Sequence, residues 1–189
     1  MMRGCSEFRL RHAAAVIHNG GIVAYPTEAV YGLGCNPFDL QAIQQLLVIK
    51  GRPASKGFIL IAADYLQVAQ YVRPMQQDFL DQCFATWPGP MTWVLPASCQ
   101  VPAWLRGTHD TIAVRVTAHP LAAALCRSVG HPLVSTSANR TRHPPLRTAL
   151  AVQRILGKDI DFLIPGALGG SIRPTPIRDA LTGAVLRPG

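Results

Sequence analysis

The chain has 189 residues, 49% of them hydrophobic, and its 18 basic and 10 acidic residues give a net charge of +8. This length is typical of one domain with a substantial buried core, so we predict a single domain over residues 1–189. No apolar run is long enough to cross a bilayer and residues 1–20 lack a signal-peptide pattern, which excludes membrane-spanning and secreted classes and predicts a cytoplasmic protein.

The chain is predicted to begin with a helix and a strand. Apolar residues at helical spacing indicate a helix over residues 8–18, which the glycines of residues 19–21 end. Residues 22–25 are typical of a buried strand, and Pro26-Thr27-Glu28 ends it before a glycine-spaced turn over residues 31–35. Thr27 is therefore expected at the end of a strand.

The next segment, residues 50–57, places three cations between a helix and a strand. Residues 40–49 are predicted as an amphipathic helix with Asp39 as its N-cap, and residues 58–62 as a buried strand. A segment held at both ends binds anions better than a mobile one. The alternative is that its cations only cap and solvate the helix end. These cations are Lys50, Arg52 and Lys56.

The remaining segments predict alternating helices and strands, followed by a hairpin. We predict helices over residues 64–71, 74–86, 120–129 and 148–156, and strands over 91–95, 111–116, 132–134 and 162–164 and near 177 and 185. This order predicts an α/β fold with a twisted, open, mixed parallel/antiparallel sheet flanked by helices. Polar strand ends are then expected to gather at one edge, where such sheets bind ligands.

Cysteines and histidines form no recognisable metal or disulfide pattern. The five cysteines include no C-x-x-C pair, and none of the six histidines stands four residues from another. We therefore expect reduced thiols and no metal held by the protein. No Walker A, G-x-G-x-x-G or G-x-S-x-G pattern occurs, so the familiar nucleotide folds and the esterase triad are not supported.

What remains is a set of cations and short polar side chains near the predicted strand ends. Most of the basic residues are arginines, which form bidentate contacts with phosphate, so the basic excess favours nucleotide or nucleic-acid partners. Arginines at such places are also typical solvent-facing charges, and Ser or Thr there often caps the backbone. The candidate anion-binding residues are Thr27, Lys50, Arg52, Lys56, Thr92, Arg115, Ser135, Ser137, Asn139, Thr175 and Arg187.

Six segments spread along the chain carry a specific family pattern: residues 25–34 (YPTEAVYGLG), 50–53 (KGRP), 87–92 (WPGPMT), 113–115 (AVR), 135–139 (STSAN), and 177–179 with 186–189. Through them the chain resembles the threonylcarbamoyl-AMP synthase family, TsaC/YrdC, over its whole length. The family's Lys-x-Arg and Ser-x-Asn patterns fall here on two pairs of residues. The resemblance implies a YrdC-like fold in which catalysis is carried by Lys50, Arg52, Ser137 and Asn139.

The resemblance also implies the reaction and the partners. Family members join L-threonine, bicarbonate and ATP, the last with Mg²⁺, into L-threonylcarbamoyladenylate and pyrophosphate, for threonylcarbamoyladenosine modification of tRNA. The candidate residues would then bind ATP and threonine, and Thr27 beside Glu28 suits the amino acid's polar head. Expected partners are tRNA or double-stranded RNA and the downstream tRNA threonylcarbamoyl-transfer proteins. Two alternatives stay open: an RNA-binding module without catalysis, and a carbamoyl-adenylate-forming relative.

The chain departs from the family pattern at two places. Many members continue Ser-x-Asn with one residue and then Ser-Gly, whereas this chain has Arg140-Thr141-Arg142, so a glycine is replaced by an arginine and the loop backbone is expected to differ. Longer members carry Asn at the position of Lys56 and add a C-terminal domain, which places this chain with the short single-domain branch. Arg140, Arg142 and Arg147 are the predicted RNA-facing arginines.

Overall fold

The computed structural model describes residues 7–189, which fold around one nine-stranded sheet. The helices are α1 (Glu7–His18), α2 (Leu40–Lys50), α3 (Gln77–Phe84), α4 (Ala103–Arg106), α5 (Pro120–Val129) and α6 (Ala149–Leu156). The strands are β1 (Val23–Pro26), β2 (Tyr31–Cys35), β3 (Ile59–Ala62), β4 (Thr92–Pro96), β5 (Thr111–Val116), β6 (Leu133–Ser137), β7 (Phe162–Leu163), β8 (Ile177–Asp179) and β9 (Val185–Arg187).

The strand order across the sheet is β7-β1-β2-β6-β3-β5-β4-β8-β9. The pairs β1–β7, β3–β5 and β4–β8 are parallel, and the other five neighbouring pairs are antiparallel. The predicted mixed α/β sheet flanked by helices is therefore confirmed. No helix within residues 7–189 is long and apolar enough to cross a membrane.

The two faces of the sheet bury two separate cores. α1 and α5 pack on one face, where residues such as Ile17 and Leu125 contact strand residues such as Ile61. α2, α3, α4 and α6 contribute to the core on the other face, which includes Leu46 and the strand residue Leu60. Because successive side chains of a strand point to opposite faces, Leu60 and Ile61 belong to different cores.

The ends of α2 agree with the sequence prediction. The carboxylate of Asp39 accepts hydrogen bonds from the backbone N–H groups of Gln41 and Ala42, so this residue is the predicted N-cap. At the other end, Gly51 has the left-handed φ of 56° and closes the helix. α2 therefore delivers Lys50, its last residue, to a fixed place against the sheet.

Three local predictions are wrong. Residues 31–35 form strand β2 rather than a turn, because their backbone pairs with both β1 and β6. Residues 64–71 form two short 3-10 turns, Tyr65–Gln67 and Ala69–Tyr71, in place of an α-helix. The helix predicted over 74–86 is shorter: α3 begins at Gln77. A further 3-10 turn, Ala54–Lys56, lies within the cation-bearing segment 50–57.

Candidate active site

A cavity of about 460 Å³ opens over one face of the sheet. Its floor includes a row of directly opposed residues: Ser135 faces Ile59, Ile59 faces Ala113, and Ala113 faces Val94 on four adjacent strands. Opposed residues point to the same face, which here is the face that α1 and α5 cover farther along. The predicted polar strand ends therefore do gather at one end of the sheet, where they surround a cavity over one of its faces.

Five cations line this cavity. Two of them are arginines in strands β5 and β9, one is an arginine in the segment after α2, and one is the lysine of the 3-10 turn Ala54–Lys56. The fifth, Arg106 in α4, was not predicted, because a four-residue helix shows no periodicity. They are Arg52, Lys56, Arg106, Arg115 and Arg187.

A pair of glycines positions Arg106 beside the segment that follows α2. A Cβ on Gly57 would come within 2.8 Å of the Arg106 carbonyl oxygen, and one on Gly107 within 2.2 Å of the Ser55 carbonyl oxygen. Both glycines also have left-handed φ values, 59° and 64°. Such a close backbone approach is a place where only glycine fits. Gly57 and Gly107 are thus the sequence feature that marks the contact between the Arg106 segment and residues 50–57, although Arg106 was not predicted from it.

Arg115 is held by a carboxylate and a hydroxyl. Its Nη2 lies 3.5 Å from Oε2 of Glu28, and its Nη1 donates a 2.9 Å hydrogen bond to Oγ1 of Thr175. Oε1 of Glu28 accepts from Thr117 at 2.6 Å. Arg115 is 6% exposed, so it is not the outward-facing strand residue that the alternation also allowed. Its Nε is buried and has no hydrogen-bond partner among the described residues.

Arg187 in the last strand is anchored to the same loop as Arg115. Its Nη2 and Nε donate to the backbone carbonyl of Thr175 at 2.6 and 3.2 Å. Burial, and then the charge of Arg115, lowers the pKa of the Arg187 guanidinium. Thr175 thus joins two cations, so three of the predicted residues meet at one side of the cavity.

Arg52 is fixed by contacts within its own segment, residues 50–57, and with the next residue, Phe58. Its Nη2 donates to the carbonyl oxygens of Gly57 at 2.7 Å and Lys56 at 3.2 Å, and its guanidinium carbon lies 5.5 Å from the ring centre of Phe58. Desolvation lowers the pKa of Arg52, because a buried charge is disfavoured. An anion in the cavity would offset that cost for both guanidinium groups, Arg52 and Arg187.

Lys50 lies behind the cavity wall instead of lining it. Its Nζ donates to the Ser137 carbonyl oxygen at 2.5 Å and to Oδ1 of Asn139 at 2.8 Å, and lies 3.4 Å from Oγ of Ser137. Burial, with the nearby charge of Arg52, lowers the pKa of Lys50 to about 8. The loop returns the contact, because the amide and hydroxyl of Thr141 both donate to the Lys50 carbonyl oxygen.

The predicted Ser-x-Asn pair therefore contacts the predicted Lys-x-Arg pair through Lys50. The two residues of the Ser-x-Asn pair have different roles. Ser137 lines the cavity and donates to Oδ1 of Asn139 at 2.6 Å. Asn139 does not line the cavity, since its amide nitrogen donates to the carbonyl oxygens of Arg140 and His143. We define Lys50, Ser137, Asn139 and Thr141 as the lysine clamp. This group, of which Lys50 is buried, holds the part of the wall that contains Ser137.

The remaining predicted residues divide between the cavity and the interior. Thr27, Ser135 and Thr175 line the cavity. The Thr27 hydroxyl donates to the Val30 carbonyl at 2.7 Å, so its proton is bound within the protein. Thr92 is fully buried away from the cavity, and its hydroxyl has no partner among the described residues, so the structure does not bring it to the site.

The three arginines predicted to face RNA differ in their contacts. Arg140 forms an ion pair with Asp159 at 2.8 Å, and Arg147 donates to the carbonyl oxygens of Ser171 and Ile172. Arg142 is exposed and has φ of 68°, the left-handed region. The loop backbone therefore keeps a glycine-type conformation although the residue is arginine.

Comparison with known proteins gives one consistent result. The Sua5/YciO/YrdC family model, described as "Telomere recombination", matches residues 15–189. A protein of Halorhodospira halophila named threonylcarbamoyl-AMP synthase is 56% identical over 184 residues, which cover 97% of this chain and 96% of that protein. One of Nitrosococcus oceani with the same name is 54% identical over 97% of this chain and 99% of its own.

A solved structure shares the fold closely. The crystal structure of P. abyssi Sua5 complexed with L-threonine superposes with a TM-score of 0.91 at 34% identity. The match covers 97% of this chain and 55% of the Sua5 chain, so the present chain spans about half the length of that structure.

Proposed function

The chain belongs to the Sua5/YciO/YrdC family, and from this premise we propose that it is a threonylcarbamoyl-AMP synthase. It joins L-threonine, bicarbonate and ATP into L-threonylcarbamoyladenylate and pyrophosphate, and its product serves threonylcarbamoyladenosine modification of tRNA. The names of relatives at 46–56% identity support this activity, and the Sua5 complex supports threonine as a substrate. We propose that residues 1–189 act as a single YrdC-like domain.

The observation that carries the proposal is the set of five cations around one cavity of about 460 Å³. A cavity of this size is in the range of small-molecule sites. Among the described residues, two carboxylates form ion pairs with these five cations, Glu28 with Arg115 and Asp110 with Arg106, so the cavity carries a positive excess. A polyphosphate is the common metabolite class whose charge matches such a group of guanidinium and ammonium ions.

The reaction needs what this cavity offers. An oxygen of the threonine carbamate attacks the α-phosphorus, an O–P bond forms, and the bond to the pyrophosphate leaving group breaks. Negative charge then builds on the phosphoryl oxygens and on pyrophosphate, and fixed cations stabilise that charge more in the transition state than in the ground state. Arg52, Lys56, Arg115 and Arg187 are the cations that we assign to this role.

We assign a different part to the lysine clamp. Lys50 and Asn139 have their polar atoms occupied by protein partners, so they hold Ser137 and the wall in place while Ser137 contacts substrate. Among the described residues, no group of three or more His, Cys, Asp or Glu side chains could hold a metal ion. We therefore propose that Mg²⁺ enters bound to the phosphates of ATP, as is usual for this ion.

The test is the release of pyrophosphate by the purified protein with ATP and Mg²⁺. Release that requires both L-threonine and bicarbonate supports the synthase. Release with carbamoyl phosphate in their place would assign the chain to the carbamoyl-adenylate formers instead. No release under either condition would contradict catalysis and leave an RNA-binding module as the better assignment.

Arg52→Ala tests the cationic wall. Loss of one charge-assisted contact costs about 1.5 to 3 kcal/mol, which corresponds to a fall of about 10-fold to 150-fold in kcat/KM for ATP. Arg154→Ala on the exposed surface of α6 is the matched control and should leave kcat/KM unchanged. Equal values for both variants would remove Arg52 from the site.

We also propose that the exposed basic loop after β6 contacts tRNA. Arg142 is the leading contributor, because Arg140 and Arg147 already have protein partners. Binding through phosphates loses about 0.7 to 0.9 logarithmic units of affinity per contact for each tenfold rise in salt. Arg142→Glu should therefore weaken tRNA binding and lower this salt slope, with pyrophosphate release unchanged. An unchanged slope would place the RNA contact elsewhere.

A further inference from the structure

Tyr25 reaches Ser135 across the intervening strand β2. Tyr25 lies in β1 and Ser135 in β6, and the phenol oxygen of Tyr25 lies 2.9 Å from Oγ of Ser135. Between them, β2 presents Gly32 opposite Tyr25 and Gly34 opposite Ser135. A side chain at either glycine would stand on the same face as the tyrosine ring.

The two glycines make room for that ring. A Cβ on Gly34 would come within 2.8 Å of Cε1 and 3.1 Å of the phenol oxygen of Tyr25. A Cβ on Gly32 would lie 3.5 Å from Cε2 of the same ring. The Gly-Leu-Gly sequence of β2 is thus explained by a tyrosine that lies over the strand and extends to the next one.

The hydrogen bond can have only one direction. Tyr25 is fully buried, and Ser135 is the only described residue that hydrogen-bonds its phenol oxygen. If Ser135 donated to Tyr25, the phenol proton would be buried without an acceptor, which is costly. The phenol therefore donates to Oγ of Ser135, and the serine proton must point elsewhere.

The cavity lies on the free side of this serine. Ser135 is a cavity-lining residue, and its backbone is fixed in β6 between β2 and β3. The nearby Thr27 hydroxyl gives its own proton to the Val30 carbonyl and so offers only lone pairs. The serine proton, which the Tyr25 phenol does not accept, can therefore be directed toward this cavity.

We infer that Tyr25 is a positioning residue that acts through Ser135, by keeping the serine hydroxyl a hydrogen-bond donor toward an oxygen of the bound substrate. This inference rests on the proposed synthase function for its kinetic part. It does not rest on that function for the direction of the hydrogen bond, which can be measured in the protein without substrate.

The kinetic test is a double-mutant cycle on kcat/KM for threonine-dependent pyrophosphate release. Tyr25→Phe keeps the ring and removes the donor, so the serine can turn its proton away from the substrate, and we expect a fall of about 5-fold to 20-fold. In a Ser135→Ala background the same change should have an effect below about 2-fold, because the residue through which Tyr25 acts is gone. Tyr71→Phe, a buried tyrosine remote from the cavity lining, is the matched control and should have no effect.

The outcomes are distinct. Equal losses from Tyr25→Phe in both backgrounds, or no loss in either, would overturn the positioning role, because a merely structural tyrosine would not depend on Ser135. Proton NMR of the substrate-free protein checks the direction independently: a slowly exchanging Tyr25 hydroxyl proton close to the Ser135 β-protons supports the inference, and its absence overturns it. A wild-type protein without pyrophosphate release would instead contradict the proposed function, while the NMR result still decides the hydrogen bond.

Discussion

Two buried cations of this protein, Lys50 and Arg115, are stabilised in opposite ways. Both are almost inaccessible, at 4% and 6% exposure. The Lys50 ammonium is surrounded by neutral oxygens of Ser137 and Asn139, without a carboxylate within ion-pair distance in the described part of the chain. The Arg115 guanidinium has the carboxylate of Glu28 as its counter-charge and keeps one donor free.

This difference distinguishes a residue that supports the cavity wall, Lys50, from one that lines the cavity, Arg115. The three N–H donors of the Lys50 ammonium all contact protein oxygens, so Lys50 supports the wall. Burial disfavours the charged ammonium, and the pKa of Lys50 is therefore lowered. Arg115 is paired with Glu28 and also lines the cavity. The following predictions test that division, from the largest expected effect to the smallest.

Glu28→Gln should cause the largest loss of stability. It removes the counter-charge of a buried guanidinium, and breaking a buried ion pair by removing one partner costs about 3 kcal/mol or more. Chemical denaturation would measure the fall in the free energy of unfolding. Pyrophosphate should then raise Tm more in Glu28→Gln than in the wild type, because it supplies the missing negative charge to Arg115.

The double variant Glu28→Gln, Arg115→Met is the control for that prediction. With both charges removed, no uncompensated charge remains, so much of the lost stability should return and the extra response to pyrophosphate should vanish. If the double variant is as unstable as the sum of the single changes, Glu28 does not act as the counter-charge of Arg115.

Lys50 should give the activity an alkaline limit. Below its pKa of about 8 the ammonium donates to all three surrounding oxygens. Above that pKa the neutral amine has only two N–H donors, and its lone pair faces the third oxygen. The clamp therefore weakens as the pH rises, and kcat/KM should fall by about 10-fold per pH unit above that pKa. The profile of kcat/KM between pH 6 and pH 10 would show this limb.

Two substitutions by arginine identify the group whose deprotonation causes the alkaline fall in kcat/KM, which is called the limb. Lys50→Arg keeps a positive charge at every pH, so its kcat/KM, although reduced by the larger side chain, should lose the limb near pH 8. Lys158→Arg on the exposed surface should keep both the activity and the limb. A limb that persists unchanged in Lys50→Arg would show that another group titrates.

The sequence predicted the elements that have strong local patterns. The α2 helix, its Asp39 cap and its Gly51 end are local features, so they were found without the fold. The resemblance supplied Lys50, Arg52, Ser137 and Asn139 as one group, and the structure joins them. The sequence could not show that Lys50 and Asn139 lie behind the wall while Arg52 and Ser137 line the cavity, because that depends on tertiary contacts between α2 and the loop after β6.

The missed features are those that depend on distant contacts. Arg106 joins the cavity only because Gly57 and Gly107 let two remote segments touch. The strand β2 was taken for a turn because its glycines suggest one, while its pairing with β1 and β6 is decided across the sheet. Glu28 was not among the predicted site residues, because its partner Arg115 lies far away in sequence and only the tertiary contact reveals its role.

The smallest predicted effect comes from the loop that completes the lysine clamp. Arg142 follows Thr141, which holds the Lys50 carbonyl, and it has a left-handed φ of 68°. That conformation costs a residue with a Cβ about 1 to 2 kcal/mol. Glycine removes this strain but gains freedom in the unfolded chain, worth about 0.4 to 1 kcal/mol, so Arg142→Gly should stabilise the protein by about 0.5 to 1 kcal/mol.

This gain would sharpen the comparison, because it would show that the clamp around Lys50 includes a strained backbone position, whereas the Arg115 pair is held by an ion pair and side-chain hydrogen bonds. Differential scanning calorimetry would show the gain as a rise in Tm of about 1 to 4 °C. Arg142→Ala separates backbone from side chain, since it loses the guanidinium but keeps the Cβ, and its Tm should stay near that of the wild type. If Arg142→Ala is stabilised as much as Arg142→Gly, the gain comes from removing a positive charge from a basic loop, and the strain assigned to the clamp is absent.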